Sequence, residues 1–126
     1  MEQLTNFENI FNRLIKDYQG KEVILDTGYQ EFNLSRFNLT ISSISIKAAD
    51  PKTRKRWATK EKKPGLILIQ EKKQNQNTTV VRIPFLLGYH TMNAVFSPEG
   101  VVIKSMGFRF IIKKAKIKKA TRKKGA

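Results

Sequence analysis

Helical spacing of apolar residues is confined to one segment near the N-terminus, and short runs typical of strands follow it. Thr5 and Glu8 form a capping-box pattern ahead of this segment, and Gly20 is a natural stop after it. The pattern therefore predicts an amphipathic helix over 5–19. An isolated helix of this length is marginal in water, so it must dock on a sheet that the rest of the chain supplies. Its apolar stripe consists of Phe7, Ile10, Phe11, Leu14, Ile15 and Tyr18.

Beyond Gly20 the apolar residues follow strand patterns between turns. In the run 38–46, Leu39 and Ile41 share one parity whereas Ile44 and Ile46 share the other. Period-2 alternation does not allow this without a slip, so we predict a β-bulge or sharp bend at Ser42-Ser43. A hairpin is predicted between 66–70 and 78–85 across a polar turn at 74–77. Pro84 cannot donate to a ladder, so its strand ends there or lies at an edge.

The C-terminal half shows one further turn signal. Ser97-Pro98-Glu99-Gly100 has the pattern of a type I turn between 94–96 and 101–104, and a last strand is predicted over 108–112. The pattern indicates six or seven short strands and one helix. We therefore predict a mainly β (α+β) single folded domain over 1–112, built as a small curved antiparallel sheet or barrel. Its size is that of OB, SH3 and Sm-type barrels. The outline of residues 7–28 resembles the start of the Sm-type barrels. The order of elements also resembles the OB fold, a barrel that binds single strands on one face.

The net charge of +15 is concentrated in two segments. Residues 50–65 carry seven Lys or Arg against two acids, and residues 113–126 carry eight with no acid. We predict a basic loop over 50–65 and a flexible polybasic tail over 113–126 beside a nearly neutral body. This layout indicates a polyanion partner, of which nucleic acid, DNA or RNA, is the commonest.

The candidate nucleic-acid-binding residues are the cations of these two segments together with the single Trp57. Trp57 lies beside three cations, so it either stacks on an unpaired base or folds back to anchor the loop. Phe37, Tyr29, Tyr89 and Phe96 are further stacking candidates, and each also suits the core. The predicted contacts are Lys52, Arg54, Lys55, Arg56, Trp57, Lys60, Lys62, Lys63, Lys113, Lys114, Lys116, Lys118, Lys119, Arg122, Lys123 and Lys124.

Several classes of protein are disfavoured by what the chain lacks. It has no cysteine, which excludes disulfides, thiolate metal sites and cysteine nucleophiles. No signal peptide and no apolar run near the roughly 20 residues of a membrane-spanning helix are visible. We expect a cytoplasmic protein with no cofactor and no metal. Homo-oligomerisation through exposed edge strands is an open alternative. The Lys, Ile and Asn content is typical of an AT-rich bacterial or phage genome.

One short element points towards catalysis. Glu71-Lys72-Lys73 ends an apolar strand and resembles the E-x-K element of the PD-(D/E)xK nucleases. The resemblance implies a Mg²⁺ site at Glu71 and an upstream Asp50 or Asp26, with a lysine assisting the attacking water. The other interpretation is a solvated strand end before a turn.

The function that the sequence favours is non-catalytic nucleic-acid binding, dominated by the phosphate backbone and largely independent of sequence. Single-stranded DNA or RNA is the favoured ligand. Three alternatives stay open. They are a ribosomal or ribonucleoprotein component, an adaptor for an acidic protein or an anionic membrane surface, and a Mg²⁺-dependent nuclease.

Overall fold

The computed structural model describes residues 1–48, 63–87 and 92–115. These residues form one helix and nine strands, which confirms the predicted mainly β fold with a single N-terminal helix. The predicted number of strands was too low. The elements are β1 (Glu2–Leu4), α1 (Phe7–Tyr18), β2 (Glu22–Tyr29), β3 (Phe32–Thr40), β4 (Ser43–Ala48), β5 (Lys63–Lys73), β6 (Gln76–Leu87), β7 (Met92–Phe96), β8 (Gly100–Ser105) and β9 (Phe108–Lys114).

The strands form two sheets in which every pairing is antiparallel. The larger sheet has six strands in the order β1-β7-β8-β9-β2-β3, and the smaller has three in the order β4-β5-β6. Each sheet has two edges within the described residues, so of the predicted alternatives the closed barrel is wrong. After β3 the chain leaves the larger sheet, builds the smaller one with β4–β6, and returns to the larger sheet with β7–β9.

The helix begins one residue after Asn6, not at the predicted cap. The Asn6 side chain accepts a hydrogen bond from the backbone N–H of Asn9 at 3.1 Å, so Asn6 takes the capping role predicted for Thr5. The helix ends at Tyr18, and Gly20 follows with a φ of 85°. The predicted range 5–19 was therefore slightly too long at both ends, which is the usual uncertainty at helix ends.

The parity switch predicted at Ser42-Ser43 is a change of sheet. β3 lies at the edge of the larger sheet and β4 at the edge of the smaller, with Ile41 and Ser42 between them. The Ser42 Oγ lies 3.1 Å from the Gln70 carbonyl oxygen and 2.8 Å from the Asn77 Oδ1, which fixes the bend. The predicted sharp bend is thus confirmed. The parity of the apolar residues switches there because side chains on both strands face the same core although the strands belong to different sheets.

The hairpins predicted across the polar turn and across Ser97–Gly100 are both present. Gln74 and Asn75 connect β5 and β6 with φ values of 52° and 65°, as a type I′ turn requires. The Ser97 N–H donates to the Gly100 carbonyl oxygen at 2.8 Å. Pro84 lies inside β6, which is an edge strand, so the edge alternative for this proline is confirmed.

One apolar core joins the two sheets and the helix. Ile10, Leu14 and Tyr18 of α1 belong to the same buried cluster as side chains from both sheets. The Phe7 ring stacks on Phe85 of β6 at 4.2 Å between centroids. The Ser105 hydroxyl of β8 donates to the Pro84 carbonyl oxygen of β6 at 2.6 Å. This core covers one face of the larger sheet, and the opposite face, on which the described residues place no part of this core, is termed the outer face. No helix in the described part of the chain is long and apolar enough to cross a membrane.

Candidate nucleic-acid interface

The strand register brings four cations together on the outer face. Alternate residues of β9 point outward, which selects Arg109 and Lys113. Lys104 of β8 lies opposite Arg109, and Arg36 of β3 lies opposite Asp26 on β2. We call Arg36, Lys104, Arg109 and Lys113 the outer cationic group. Half-buried apolar side chains lie between them, so the cations frame an apolar centre.

Arg109 is held flat against the sheet by neutral acceptors. Its Nη1 donates to the Gln30 carbonyl oxygen, and its Nη2 donates to the Asn33 Oδ1 at 2.9 Å. The side chain reaches them by crossing Gly28, where a Cβ atom would collide with the guanidinium. No carboxylate of the described residues forms an ion pair with Arg109. The guanidinium is therefore oriented but keeps its charge for an outside anion.

Lys104 and Arg109 are direct neighbours across β8 and β9. The Arg109 side chain runs from β9 across Gly28 towards Asn33 of β3, away from β8. Phosphate oxygens that approach the outer face can accept charge-assisted hydrogen bonds from either cation. The pair is thus a local feature of the described surface that favours an anion over solvent.

Arg36 is the cation of the group that has an acidic partner. Its Nε and Nη2 donate to the two carboxylate oxygens of Asp26 at 2.6 and 3.0 Å. These hydrogen bonds hold the pKa of Asp26 below its usual value, and attraction from Lys113 acts in the same direction. Asp26 therefore stays ionised and reduces the positive charge at this part of the outer face.

A groove runs between Arg36 and Arg109 across β9, β2 and β3. Its volume is about 320 Å³, Ile111 lies among its lining residues, and Leu34 contributes an exposed aliphatic side chain. That volume is at the small end of ligand sites in proteins. The groove offers guanidinium, amide and hydroxyl groups beside apolar surface. Such a small surface groove suits one repeating unit of a polymer that lies across the sheet better than a small molecule that must be enclosed.

Three of the sequence-predicted contact residues lie among the described residues. Lys63 begins β5, where its backbone pairs with Leu87. Lys113 and Lys114 lie on β9, paired with Ile24 and Val23, so the predicted tail boundary at 113 was wrong by two residues. Lys113 points to the outer face, whereas the Lys114 Nζ lies 5.9 Å from the centroid of the Tyr18 ring on the core side. The structure thus divides these two neighbours between opposite faces.

The remaining predicted contacts lie outside the described residues. In the predicted loop these are Lys52, Arg54, Lys55, Arg56, Trp57, Lys60 and Lys62, and in the predicted tail Lys116, Lys118, Lys119, Arg122, Lys123 and Lys124.

Sequence reasoning missed Arg36, Lys104 and Arg109. Each is a single cation inside a strand pattern, without the clustering that marks the basic segments. The alternation of Phe108, Arg109 and Phe110 indicates only that Arg109 points away from the phenylalanines. Which other cations share its face depends on the pairing of β8, β9, β2 and β3, which no local pattern specifies.

Of the predicted stacking candidates, Tyr29 is the one that the described structure exposes. Phe96 is 2 % exposed, with the Arg13 guanidinium 4.8 Å from its ring centroid, and Phe37 packs against the core. Tyr29 is 39 % exposed. Tyr89 lies outside the described residues.

The nuclease-like element occupies the end of β5. The Lys73 Nζ lies 3.3 Å from the Glu71 Oε1, and Glu71 belongs to the smaller sheet. Asp26 belongs to the larger sheet and is bound by Arg36, and Asp50 lies outside the described residues. Within the described ranges, no three His, Cys, Asp or Glu side chains are grouped to hold a metal ion. The pairing of Glu71 with Asp26 implied by the resemblance thus has no support from this geometry.

Comparison of the chain with protein-family models, with curated protein sequences and with solved structures finds no significant match.

Proposed function

We propose that this chain is a non-catalytic nucleic-acid-binding protein whose outer face contacts the phosphate backbone. The observation that carries the proposal is the Lys104–Arg109 pair, in which two neighbouring cations share an open face and Arg109 is oriented by neutral acceptors. Oriented guanidinium and ammonium donors are the groups that proteins use most for phosphate oxygens.

The direction of β9 supports a polymer ligand. Arg109 and Lys113 lie four residues apart on the same face, about 13 Å along the strand. The sequence after Ala115 adds six Lys or Arg and no acid. Cations therefore continue along one strand and into the chain that follows it, which suits a ligand with repeated negative charges. Contacts of this kind position a backbone without reading bases, so binding should be largely independent of sequence.

Neutralising Lys104 and Arg109 is the first test. In the Lys104→Gln/Arg109→Gln double variant, we expect the slope of log K against log salt concentration to become shallower by about 1.4 to 1.8. The affinity for a labelled oligonucleotide at 0.1 M salt should fall by roughly ten- to fiftyfold. Fluorescence anisotropy across a salt series measures both quantities, with single-stranded DNA, duplex DNA and hairpin RNA as separate ligands.

Arg82→Gln is the matched control for charge. Arg82 is exposed on β6 of the smaller sheet, away from the outer face, so its loss should leave the slope nearly unchanged. If neutralising two cations far from the outer face changed the salt slope and the affinity as much as the double variant does, a localised interface would be contradicted. A stronger interaction with anionic lipid vesicles than with any nucleic acid would favour the membrane-adaptor alternative instead.

Asp26→Asn should act in the opposite direction on binding. The substitution removes one negative charge and releases the Arg36 guanidinium, so we expect the affinity for single-stranded DNA to rise by about fivefold at 0.1 M salt. The Arg36 side chain is 68 % exposed, so the free energy of unfolding at pH 7 should fall by less than about 1 kcal/mol.

The stability effect of Asp26→Asn should depend on pH in a defined direction. The pKa of Asp26 is lowered in the folded state, so its ion pair stabilises the fold above the unfolded pKa near 3.9. This contribution is lost as the pH falls through the folded pKa. Denaturant unfolding of both proteins between pH 7 and pH 2 should therefore show a difference that vanishes at the acid end. A difference that grows on acidification would contradict the assigned pair.

A further inference from the structure

Three aromatic side chains lie side by side where the β2–β3 and β8–β9 hairpins end. Tyr29 pairs with Phe32 on one side and with Phe108 on the other. The Tyr29 and Phe108 rings meet edge to face, with centroids 4.8 Å apart and an interplanar angle of 65°. We call Tyr29, Phe32 and Phe108 the aromatic row.

The aromatic row is anchored at one end and open at the other. Phe108 packs against the core, and its other cross-strand partner, Ser105, is buried. Tyr29 is 39 % exposed and Phe32 is 64 % exposed. Burial of a phenylalanine ring stabilises a fold by about 1.5 to 3 kcal/mol, and Phe32 gains little of that. Two adjacent exposed rings on a supported platform are therefore not explained by folding alone.

The two hairpin ends that carry the aromatic row are joined by backbone contacts. The Gln30 N–H donates to the Gly107 carbonyl oxygen at 2.9 Å, which joins the two hairpin ends. The Tyr29 ring lies over Gly107, where a Cβ atom would come within 2.9 Å of it. Gly107 also has a φ of 87°, a conformation that glycine adopts without strain. The Tyr29 ring is thus supported by the backbone beneath it.

A cation is attached to the same turn. The Gln30 carbonyl oxygen that accepts from Arg109 belongs to the residue directly after Tyr29 and two before Phe32. The guanidinium that we assign to phosphate contact is therefore bound at the turn that carries both exposed rings. By strand alternation Tyr29, Phe32 and Phe108 point to the core side of the larger sheet and Arg109 points to the outer face, so the rings and the guanidinium lie on either side of this turn. A strand that passes over the turn can place a base on the rings and a phosphate at the guanidinium, a combination that proteins use to bind unpaired strands.

We propose that Tyr29 and Phe32 stack on unpaired bases of a single-stranded nucleic acid that passes over the β2–β3 turn, while Arg109, on the other side of the turn, contacts a phosphate of the same strand. This inference rests on the proposed function and narrows its ligand class. In a duplex the base faces are covered by their neighbours and only the edges are accessible in the grooves. The aromatic row therefore selects single strands, whereas the outer cationic group by itself does not.

The test uses the full-length chain with three probes of equal phosphate number. They are oligothymidylate, an abasic strand and a matched DNA duplex. We expect the unmodified protein to bind oligothymidylate more tightly than the abasic strand, with similar salt slopes. Phe32→Leu and Tyr29→Leu should each weaken oligothymidylate binding by about fivefold or more. Binding to the abasic strand should stay unchanged.

Phe32→Leu is the decisive variant because its ring is mostly exposed and its replacement leaves the core intact. Ile46→Thr is the matched control, since Ile46 is an exposed apolar residue of β4 at 46 % and keeps a β-branched side chain when replaced. Equal affinity of the unmodified protein for the base-bearing and abasic strands would overturn the stacking inference and leave the proposed function standing. An equal loss on both strands in Phe32→Leu would do the same. Absence of salt-dependent binding to all three probes would overturn both proposals.

Discussion

Neutralising the six cations that follow Ala115 is expected to lower the affinity for single-stranded DNA by about two to four orders of magnitude at 0.1 M salt. Each phosphate contact that is lost removes about 0.7 from the salt slope for single strands, so six lost contacts would remove about four. The change is made in the full-length chain by replacing Lys116, Lys118, Lys119, Arg122, Lys123 and Lys124 with Gln. Anisotropy titrations between 50 and 300 mM salt provide the affinity and the slope together.

A permuted tail is the control for this variant. The residues of 116–126 are kept in number and kind but reordered, so their charge is preserved while any specific sequence is lost. Phosphate contacts should tolerate the permutation, and the affinity should stay within about threefold of the unmodified chain. If the six-Gln variant keeps its full affinity, the tail is not part of the interface, and the outer cationic group alone would have to account for binding.

The largest expected effect on stability comes from Leu14→Ala, which should lower the free energy of unfolding by about 2 to 5 kcal/mol. Leu14 has no exposed surface and belongs to the cluster that joins α1 to both sheets. Truncation removes apolar contacts and leaves a cavity that close-packed neighbours cannot fill completely. Chemical denaturation monitored by circular dichroism measures the change through the transition midpoint.

Asn12→Ala separates packing from helix propensity. Asn12 lies on the exposed side of α1 two residues earlier, and alanine is the better helix former. We expect Asn12→Ala to leave stability unchanged or raise it by a few tenths of a kcal/mol. A loss below about 1 kcal/mol for Leu14→Ala would mean that Leu14 does not fill a close-packed site between α1 and the two sheets.

Local patterns were sufficient for the elements whose causes are local. The helical stripe of α1, the polar turn between β5 and β6 and the turn at Ser97–Gly100 all correspond to structure. The helix cap was misplaced because Thr5 and Asn6 are both good N-cap residues and sequence alone does not rank neighbouring caps. The bend at Ser42 was predicted from parity, but the passage of the chain from one sheet to the other at this bend was not. A parity change is the same signal whether a strand bulges or passes into another sheet.

The candidate interface, in contrast, depends on strand pairing between distant parts of the chain. The basic segments are visible in the sequence because their cations are contiguous. Lys104 and Arg109 are separated by four residues and a turn, and Arg36 is more than 60 residues away from both. Pairing of β8 with β9, and of β2 with β3 and β9, places them on one face. The exposed rings of Tyr29 and Phe32 likewise differ from the buried aromatics only in their place at the end of the β2–β3 hairpin.

The sequence by itself determined that this chain is mainly β, with one amphipathic helix and two segments that concentrate positive charge. These features depend on side-chain periodicity, turn chemistry and composition, which act over a few residues. Only the tertiary structure decided that the strands divide into two open sheets around one core, and that Arg109 lies across Gly28 beside Lys104. Strand order and register are set by the sum of many long-range contacts, so residues distant in the chain become neighbours without any local sign of it.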